Sequence, residues 1–214
     1  MGTKFGRELR LERMALADLP PLAGLTGVER LFLTRTPIRD LTPLAGLTGL
    51  RVLGLRLTRI ADIAALAGLT NLESLILSFT PVADIAPLAG LTGLQSLYLT
   101  GCPVADLSPL AGLTALTRLD LGGTDVTDPG VLAGLGALES LQLSSTRVTD
   151  LSPLRALSRL RILELGDTRV TDLSPLRSLT GLRRLDVRGV RDAGGLALPG
   201  CEVVSAATFR RARQ

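Results

Sequence analysis

Leucine recurs at a strict interval of 22 residues over most of this 214-residue chain. Such a period is typical of a small structural unit that stacks on copies of itself, so it constrains the fold more than any other feature. We interpret the chain as eight full repeats and a partial ninth, and we number each repeat from its first leucine. The leucines at position 1 are Leu9, Leu31, Leu53, Leu75, Leu97, Leu119, Leu141, Leu163 and Leu185.

Two spacings of apolar residues alternate within each repeat. Positions 1 and 3, such as Leu97 and Leu99, have the spacing of a strand, whereas positions 8, 11, 14, 17 and 20 have a spacing of three that suits tight helical turns. Ser108 is a candidate cap for exposed N–H groups, and Pro109 is expected at the first helical position. Each repeat is therefore predicted to contain one short strand, a corner, a brief helical or 3₁₀ segment and a return.

The composition agrees with a core that repeats one aliphatic layer. Hydrophobic residues make up 46% of the chain but aromatic residues only 2%, and side chains of similar size suit layers that pack on one another. A single elongated domain is predicted over 1–214. It comprises a flank at 1–8, eight repeats at 9–184, and a partial ninth repeat with a C-terminal cap at 185–214, in which Val203 and Val204 are expected to form a closing strand or edge cover.

The segment Leu97-Tyr-Leu-Thr-Gly-Cys-Pro-Val-Ala-Asp-Leu-Ser-Pro-Leu-Ala-Gly-Leu-Thr-Ala-Leu resembles the 22-residue leucine-rich repeat of the bacterial internalin type. The resemblance extends from Leu9 to about Val190. It implies an α/β fold: a right-handed solenoid with short parallel strands on a concave face and short helical or 3₁₀ segments on a convex face.

The chain departs from this family at position 6, where the family has Asn in an internal ladder. Here six repeats carry Thr, whose hydroxyl makes fewer hydrogen bonds than an amide. We expect a reduced ladder that is interrupted at Cys102, which we interpret as a small buried hydrophobe. The residues at position 6 are Met14, Thr36, Thr58, Thr80, Cys102, Thr124, Thr146, Thr168 and Val190.

An enzymatic activity is not expected. The chain contains no histidine, which removes the commonest general base and metal ligand, and it shows neither a phosphate-binding loop nor zinc-ligand spacing. No cofactor or metal is predicted. The Asp residues at position 10 (Asp18, Asp40, Asp62, Asp84, Asp106, Asp128, Asp150 and Asp172) could suggest a calcium ladder, but acceptance of local backbone N–H groups before a turn is the favoured interpretation.

Binding residues are expected at positions 22, 2, 4 and 5, which vary between repeats and lie on or beside the outer face of the strands. Aromatic and Arg side chains are typical anchors of protein interfaces. At position 2, an apolar patch around Phe32, Ile76 and Tyr98 is expected to be followed by an acidic stripe, so a protein ligand with an apolar end and a basic end would match. The acidic stripe comprises Asp120, Gln142, Glu164 and Asp186. The predicted partner-binding residues are Phe32, Arg56, Ile76, Phe79, Tyr98, Asp120, Glu164 and Asp186. An alternative for Phe79 and Leu57 is that they fold over the sheet edge and seal the core.

The sequence leaves two other functions open. Residues 151–214 carry 12 basic and 6 acidic side chains, so a second hypothesis is nucleic-acid or anionic-surface binding through Arg155, Arg159, Arg177, Arg210, Arg211 and Arg213. Nucleic acid is the less favoured partner, because the acidic stripe would repel it. A third hypothesis is that the chain is the sensing arm of a larger multidomain protein.

The sequence contains no apolar run long enough to span a membrane, and residues 1–13 lack the apolar core of a signal peptide. A cytoplasmic monomer is predicted, with export as part of a longer precursor left open.

Overall fold

A computed structural model of the chain describes residues 4–5, 7–14, 25, 27–191 and 198–205. Within these residues, eleven short strands form one sheet whose order follows the order of the chain. The strands are β1 Lys4–Phe5, β2 Glu8–Arg10, β3 Arg30–Phe32, β4 Val52–Gly54, β5 Ser74–Ile76, β6 Ser96–Tyr98, β7 Arg118–Asp120, β8 Ser140–Gln142, β9 Ile162–Glu164, β10 Arg184–Asp186 and β11 Glu202–Val204.

The pairing of the strands follows the repeat. Strand β1 is antiparallel to β2, and every later pair is parallel. Leu31 pairs with Leu53 and Leu75 with Leu97, so the register joins the leucines at position 1 of successive repeats. The predicted stack of parallel strands, one for each repeat, is thereby confirmed. The last pair differs, because Val203 pairs with Leu185 only 18 residues earlier.

Short 3₁₀-helices follow the strands, as the spacing of three predicts. Their bounds are η1 Thr42–Leu44, η2 Ala64–Leu66, η3 Ala86–Leu88, η4 Ser108–Leu110, η5 Gly130–Gly134, η6 Ser152–Ala156 and η7 Ser174–Ser178. The predicted cap at Ser108 is wrong, because its side chain makes no capping bond. Instead the Ser108 backbone N–H donates to Oδ1 of Asp106 at 2.8 Å, and the Ser108 hydroxyl donates to the other carboxylate oxygen of the same residue. The aspartate before each 3₁₀-helix therefore starts the turn.

The core lies between the sheet and the 3₁₀-helices. Leu97, Leu99, Val104, Leu107, Leu110, Leu113 and Leu116 of one repeat are all buried, and the same positions of the other central repeats behave alike. Strands β3 to β10 thus bury their middle residues, while the residues at positions 22 and 2 lie on the opposite face of the sheet. We call that opposite face the strand face.

The six threonines at position 6 form internal hydrogen bonds within their own repeats. Thr80, for example, donates its hydroxyl to the carbonyl of Leu77 at 2.7 Å, and Thr36, Thr58, Thr124, Thr146 and Thr168 repeat this bond. The expected interruption falls at Cys102, which is fully buried. Its thiol donates to Leu77 of the preceding repeat, with the sulfur 3.2 Å from the carbonyl oxygen. At this point the hydrogen bond therefore joins two repeats instead of lying within one.

Position 5 of each repeat adopts a left-handed backbone conformation. Arg35, Leu57, Phe79, Ser145 and Asp167 have φ between 57° and 60°. Glycine occupies the position in the remaining central repeats as Gly101 and Gly123, which is the residue that this conformation favours. The turn after strands β3 to β9 therefore has the same left-handed residue, whatever side chain that residue carries.

Candidate functional site

The strand face presents one column of side chains from position 2 of every repeat. Parallel register places these residues on adjacent strands about 4.7–4.9 Å apart. The column runs Arg10, Phe32, Gly54, Ile76, Tyr98, Asp120, Gln142, Glu164, Asp186 and Val204. The N-terminal half of the column therefore has an apolar character and the C-terminal half an acidic one, as the sequence predicts.

Phe32 lies flat along the column. A Cβ at Gly54 would lie 2.7 Å from Cδ1 of Phe32, so the ring covers the glycine and fits only because that side chain is missing. On the other side, the guanidinium carbon of Arg10 stands 4.4 Å from the ring centroid. Arg10 and Arg30 are both held by Glu8, at 2.6 Å and 3.1 Å. The ring is thus packed between a cation and a bare backbone.

Ile76 and Tyr98 follow on the next two strands and are directly paired in register. Both are half-buried, although the leucines beneath them are fully buried. We define the apolar patch as Phe32, Gly54, Ile76 and Tyr98, which are contiguous in the position-2 column. Sequence reasoning selected its three side chains but missed the contribution of Arg10, which becomes visible only when the columns are aligned.

Phe79 and Leu57 lie beside this patch at position 5. Phe79 is 45% exposed and Leu57 is 38% exposed, so neither seals the core. The guanidinium carbon of Arg56 stands 4.9 Å from the centroid of the Phe79 ring. The ring also lies against Gly101 of the next repeat, where a Cβ would approach it to 2.8 Å. We define the aromatic ridge as Arg56, Leu57 and Phe79.

The acidic stripe is engaged in internal hydrogen bonds at Asp120. The carboxylate accepts the hydroxyl of Thr100 at 2.7 Å and the backbone N–H of Gly122 at 2.9 Å. With its amide nitrogen turned toward the stripe, Gln142 donates to the same carboxylate at 2.8 Å. Most of the hydrogen-bonding capacity of Asp120 is therefore directed into the protein.

Asp186 is buried and paired with Arg188, a partner that sequence reasoning missed. Arg188 donates from Nε at 2.9 Å and from a terminal nitrogen at 2.6 Å, and its backbone N–H donates at 3.0 Å. Burial raises the pKa of Asp186, but these bonds from Arg188 outweigh it and hold the pKa below its usual range. The carboxylate of half-buried Glu164 makes no side-chain hydrogen bond or ion pair with the described part of the chain, and only its backbone carbonyl accepts a bond, from the N–H of Leu143.

The aspartates at position 10 have the local role predicted for them. Asp40, Asp62, Asp84, Asp128, Asp150 and Asp172, like Asp106, each accept the backbone N–H two residues ahead at 2.7–2.8 Å. Hydrogen bonds from the serine that follows lower the pKa of Asp106, Asp150 and Asp172. No group of three potential metal-binding side chains occurs among the described residues. Asp18 lies outside them.

The C-terminal arginines occupy separate places. Arg155 and Arg177 lie in the last turns of η6 and η7, whereas Arg159 follows in the segment that leads toward β9. All three are exposed. Arg210, Arg211 and Arg213 lie outside the described residues, as do most residues of the predicted C-terminal cap.

Cys201 is half-buried beside β11. Burial, and to a smaller extent the charge of Glu202, raises the pKa of its thiol. The thiolate is therefore disfavoured at this position.

The buried leucine columns and the open strand face define a class, the leucine-rich-repeat solenoids. A family model of leucine-rich repeats in two copies matches residues 70–112 and 136–178. The internalin InlC2 of Listeria monocytogenes is 36% identical over 82% of this chain and 78% of its own, with a TM-score of 0.81. The chain belongs to the bacterial leucine-rich-repeat proteins of the internalin type.

Two further solved structures share the fold. Internalin InlF of Listeria monocytogenes is 33% identical with a TM-score of 0.88, and the match covers 92% of this chain and 59% of that one. A plant peptide hormone receptor in complex with RGF2 is 16% identical with a TM-score of 0.75, covering 92% of this chain and 35% of the receptor. The chain thus spans only part of the length of InlF. A search of curated proteins finds no match.

Leucine-rich-repeat domains commonly act as protein-interaction modules, because each extra repeat lengthens a continuous binding surface. Among the residues that the structure describes, no helix has the length and apolarity needed to cross a bilayer.

Proposed function

We propose that the chain is a non-enzymatic module that binds a partner protein through its strand face, with the apolar patch and the aromatic ridge as anchors. The observation that carries this proposal is the surplus of apolar side chains outside the core. The core is complete without Ile76, Tyr98 and Phe79, yet these side chains stand together on the outer surface. Contiguous exposed apolar groups of this kind typically mark interaction sites.

The chemistry of the anchors supports a protein ligand. Aromatic rings and arginines dominate the binding energy of protein interfaces, and here Arg10 and Arg56 already stack on Phe32 and Phe79. These cation–π contacts restrict the rings before a partner arrives, which reduces the entropy lost on binding. The plant receptor of the same fold, solved in complex with RGF2, agrees with a polypeptide ligand.

The acidic half of the column would set the orientation of the partner. Asp186 is neutralised by Arg188 and Asp120 is tied by Thr100, so Glu164 is the carboxylate that would receive a basic side chain of the ligand. A partner with an apolar segment and one basic anchor fits this arrangement. The predicted cytoplasmic location and monomeric state remain predictions from the sequence.

Site-specific photo-crosslinking tests the face directly. A photoreactive phenylalanine analogue at Tyr98 should crosslink a protein from the native organism, whereas the same analogue at Ala111, exposed on the opposite side after η4, should not. Binding of the purified crosslinked protein is then measured by titration with the wild type and with Phe32→Ala, Ile76→Ala, Tyr98→Ala combined.

The triple variant should weaken binding by at least about 2 kcal/mol if these residues are anchors, with an unchanged circular dichroism spectrum. Equal affinity for the triple variant, or equal crosslinking from Ala111, would place the interface elsewhere. Loss of binding together with the loss of the folded spectrum would call for single variants, whose effects are then compared with their separate folding stabilities.

A further inference from the structure

A second surface lies at the C-terminal end of the solenoid, away from the position-2 column. It is an open groove of about 660 Å³, formed where the coils lead into β9, β10 and β11. Its polar lining includes Glu139, Arg159, Arg161, Thr180 and Arg183. None of these residues belongs to the apolar patch or the aromatic ridge.

The groove lies where the interval between paired strand positions becomes shorter. The pairing of Leu185 with Val203 spans 18 residues, whereas every repeat before it spans 22. Gly200 has a φ of +77° and open space where a Cβ would stand, so this residue adds no side chain to the wall of the groove.

The charges in the groove are unlike those at the same position of earlier repeats. At position 21, Arg7 is paired with Glu29 and Arg51 with Glu73, each at the same position of the next repeat. At the C-terminal end, Arg161 is followed by another arginine, Arg183, one strand away.

Among the described residues, no salt bridge involves Arg159, Arg161 or Arg183. The backbone N–H of Arg183 donates to the carbonyl of Arg161 at 2.8 Å, so the two residues are adjacent in neighbouring repeats. Three unpaired guanidinium groups therefore face one groove with a single carboxylate, that of Glu139.

We propose that this groove binds an acidic peptide segment, whose carboxylates pair with Arg159, Arg161 and Arg183. The planar guanidinium fork matches a carboxylate with two parallel hydrogen bonds, and Thr180 adds a hydroxyl donor at the groove wall. Three guanidinium groups beside a carboxylate suit a short run of Asp or Glu better than a nucleic acid, which gains its affinity from many phosphate contacts.

Fluorescence anisotropy with the whole chain tests this proposal. The probes are fluorescein-labelled hexaglutamate, hexaglutamine of the same length, and a single-stranded deoxyribonucleotide hexamer. Hexaglutamate should bind and hexaglutamine should not, and the affinity should fall as salt is added because the contacts are ionic. Tighter binding of the oligonucleotide than of hexaglutamate would overturn the choice of a peptide.

Paired variants separate local contacts from net charge. Arg161→Gln with Arg183→Gln should weaken hexaglutamate binding about tenfold or more, as expected when hydrogen bonds to charged groups are lost. Arg39→Gln with Arg59→Gln changes the net charge equally at exposed arginines of early repeats, and it should leave the affinity nearly unchanged. Equal effects of the two pairs, or no binding of hexaglutamate to the wild type, would refute the site.

A gain of affinity provides a check that misfolding cannot imitate. Glu139→Gln removes the only carboxylate in the described lining and should tighten hexaglutamate binding, whereas unchanged or weaker binding contradicts the proposed geometry. The triple variant of the apolar patch should bind hexaglutamate as the wild type does. Failure of this proposal therefore leaves the proposed function untouched, and the reverse also holds.

Discussion

Replacing Phe79 by glycine should destabilise the protein less than replacing it by alanine. Phe79 has a φ of +59°, and a left-handed conformation costs an L-residue with a Cβ about 1–2 kcal/mol. Alanine keeps this cost, whereas glycine avoids it and instead loses about 0.5–1 kcal/mol through the greater freedom of the unfolded chain. The difference of these two effects predicts that the glycine variant is more stable than the alanine variant by roughly 0.5–1 kcal/mol.

Both variants lose the same contacts of the ring. Full burial of a phenylalanine side chain stabilises a protein by about 1.5–3 kcal/mol, so the buried half of Phe79 contributes roughly 1–1.5 kcal/mol. The ring of Phe79 is 45% exposed, which is why only half is counted. Stacking of Arg56 on the ring adds about 0.5–1 kcal/mol at an exposed site. Since these losses are common to both variants, they cancel in the comparison and leave only the backbone difference.

Equilibrium unfolding in urea, monitored by circular dichroism, measures the two variants against each other. Ala111→Gly is the matched control, because Ala111 has a φ of −54° and there glycine should be the less stable residue by about 0.5–1 kcal/mol. If Phe79→Ala were as stable as Phe79→Gly, or more stable, the backbone at this position would not be strained and the reasoning would fail.

Two other substitutions test the interior and the paired carboxylate. Cys102→Thr should raise the free energy of unfolding by about 0.5–1.5 kcal/mol. The new hydroxyl can donate to the carbonyl of Leu99, as the other threonines at position 6 donate within their repeats. A lower urea midpoint would show that the bond from the Cys102 thiol to Leu77 contributes more. Asp186→Asn should destabilise at neutral pH, and the difference from the wild type should shrink as the pH falls. Arg188 holds the pKa of Asp186 below its unfolded value, so the stabilisation is complete above the unfolded pKa, about 3.9, and is lost as the pH falls through the lower folded value. Urea midpoints between pH 7 and pH 2 measure this, and a constant difference would contradict it.

Much of the fold could be predicted because the same pattern of apolar and polar residues recurs in every repeat. The interval between leucines placed Leu97 and Leu99 in the core, and the structure buries both. The aspartate before each turn was expected to accept local N–H groups, which Asp106 does. The cap at Ser108 was misjudged because two polar residues compete for the same donors, and only the turn geometry decides between them.

The sequence predicted where the residues of the candidate site lie, but not which of them are buried or paired. Sequence columns placed Phe32, Tyr98 and Asp186 on the strand face, yet they did not show that Asp186 is buried beneath Arg188. They also left open whether Phe79 seals the core. Glycine stands at position 5 of other repeats, and this indicated that Phe79 would also adopt the left-handed conformation.

The sequence alone determined the stacking, because a fixed period forces equivalent residues of neighbouring repeats into register. Only the tertiary structure decided which side chains of a column cover one another, as Phe32 covers Gly54, since that depends on the residue one strand away rather than on the period. It also decided where the period ends. The last pairing, of Leu185 with Val203, spans 18 residues instead of 22, and the groove beside Arg161 and Arg183 lies at this end of the sheet, because a period in the sequence does not by itself show how the final strand pairs.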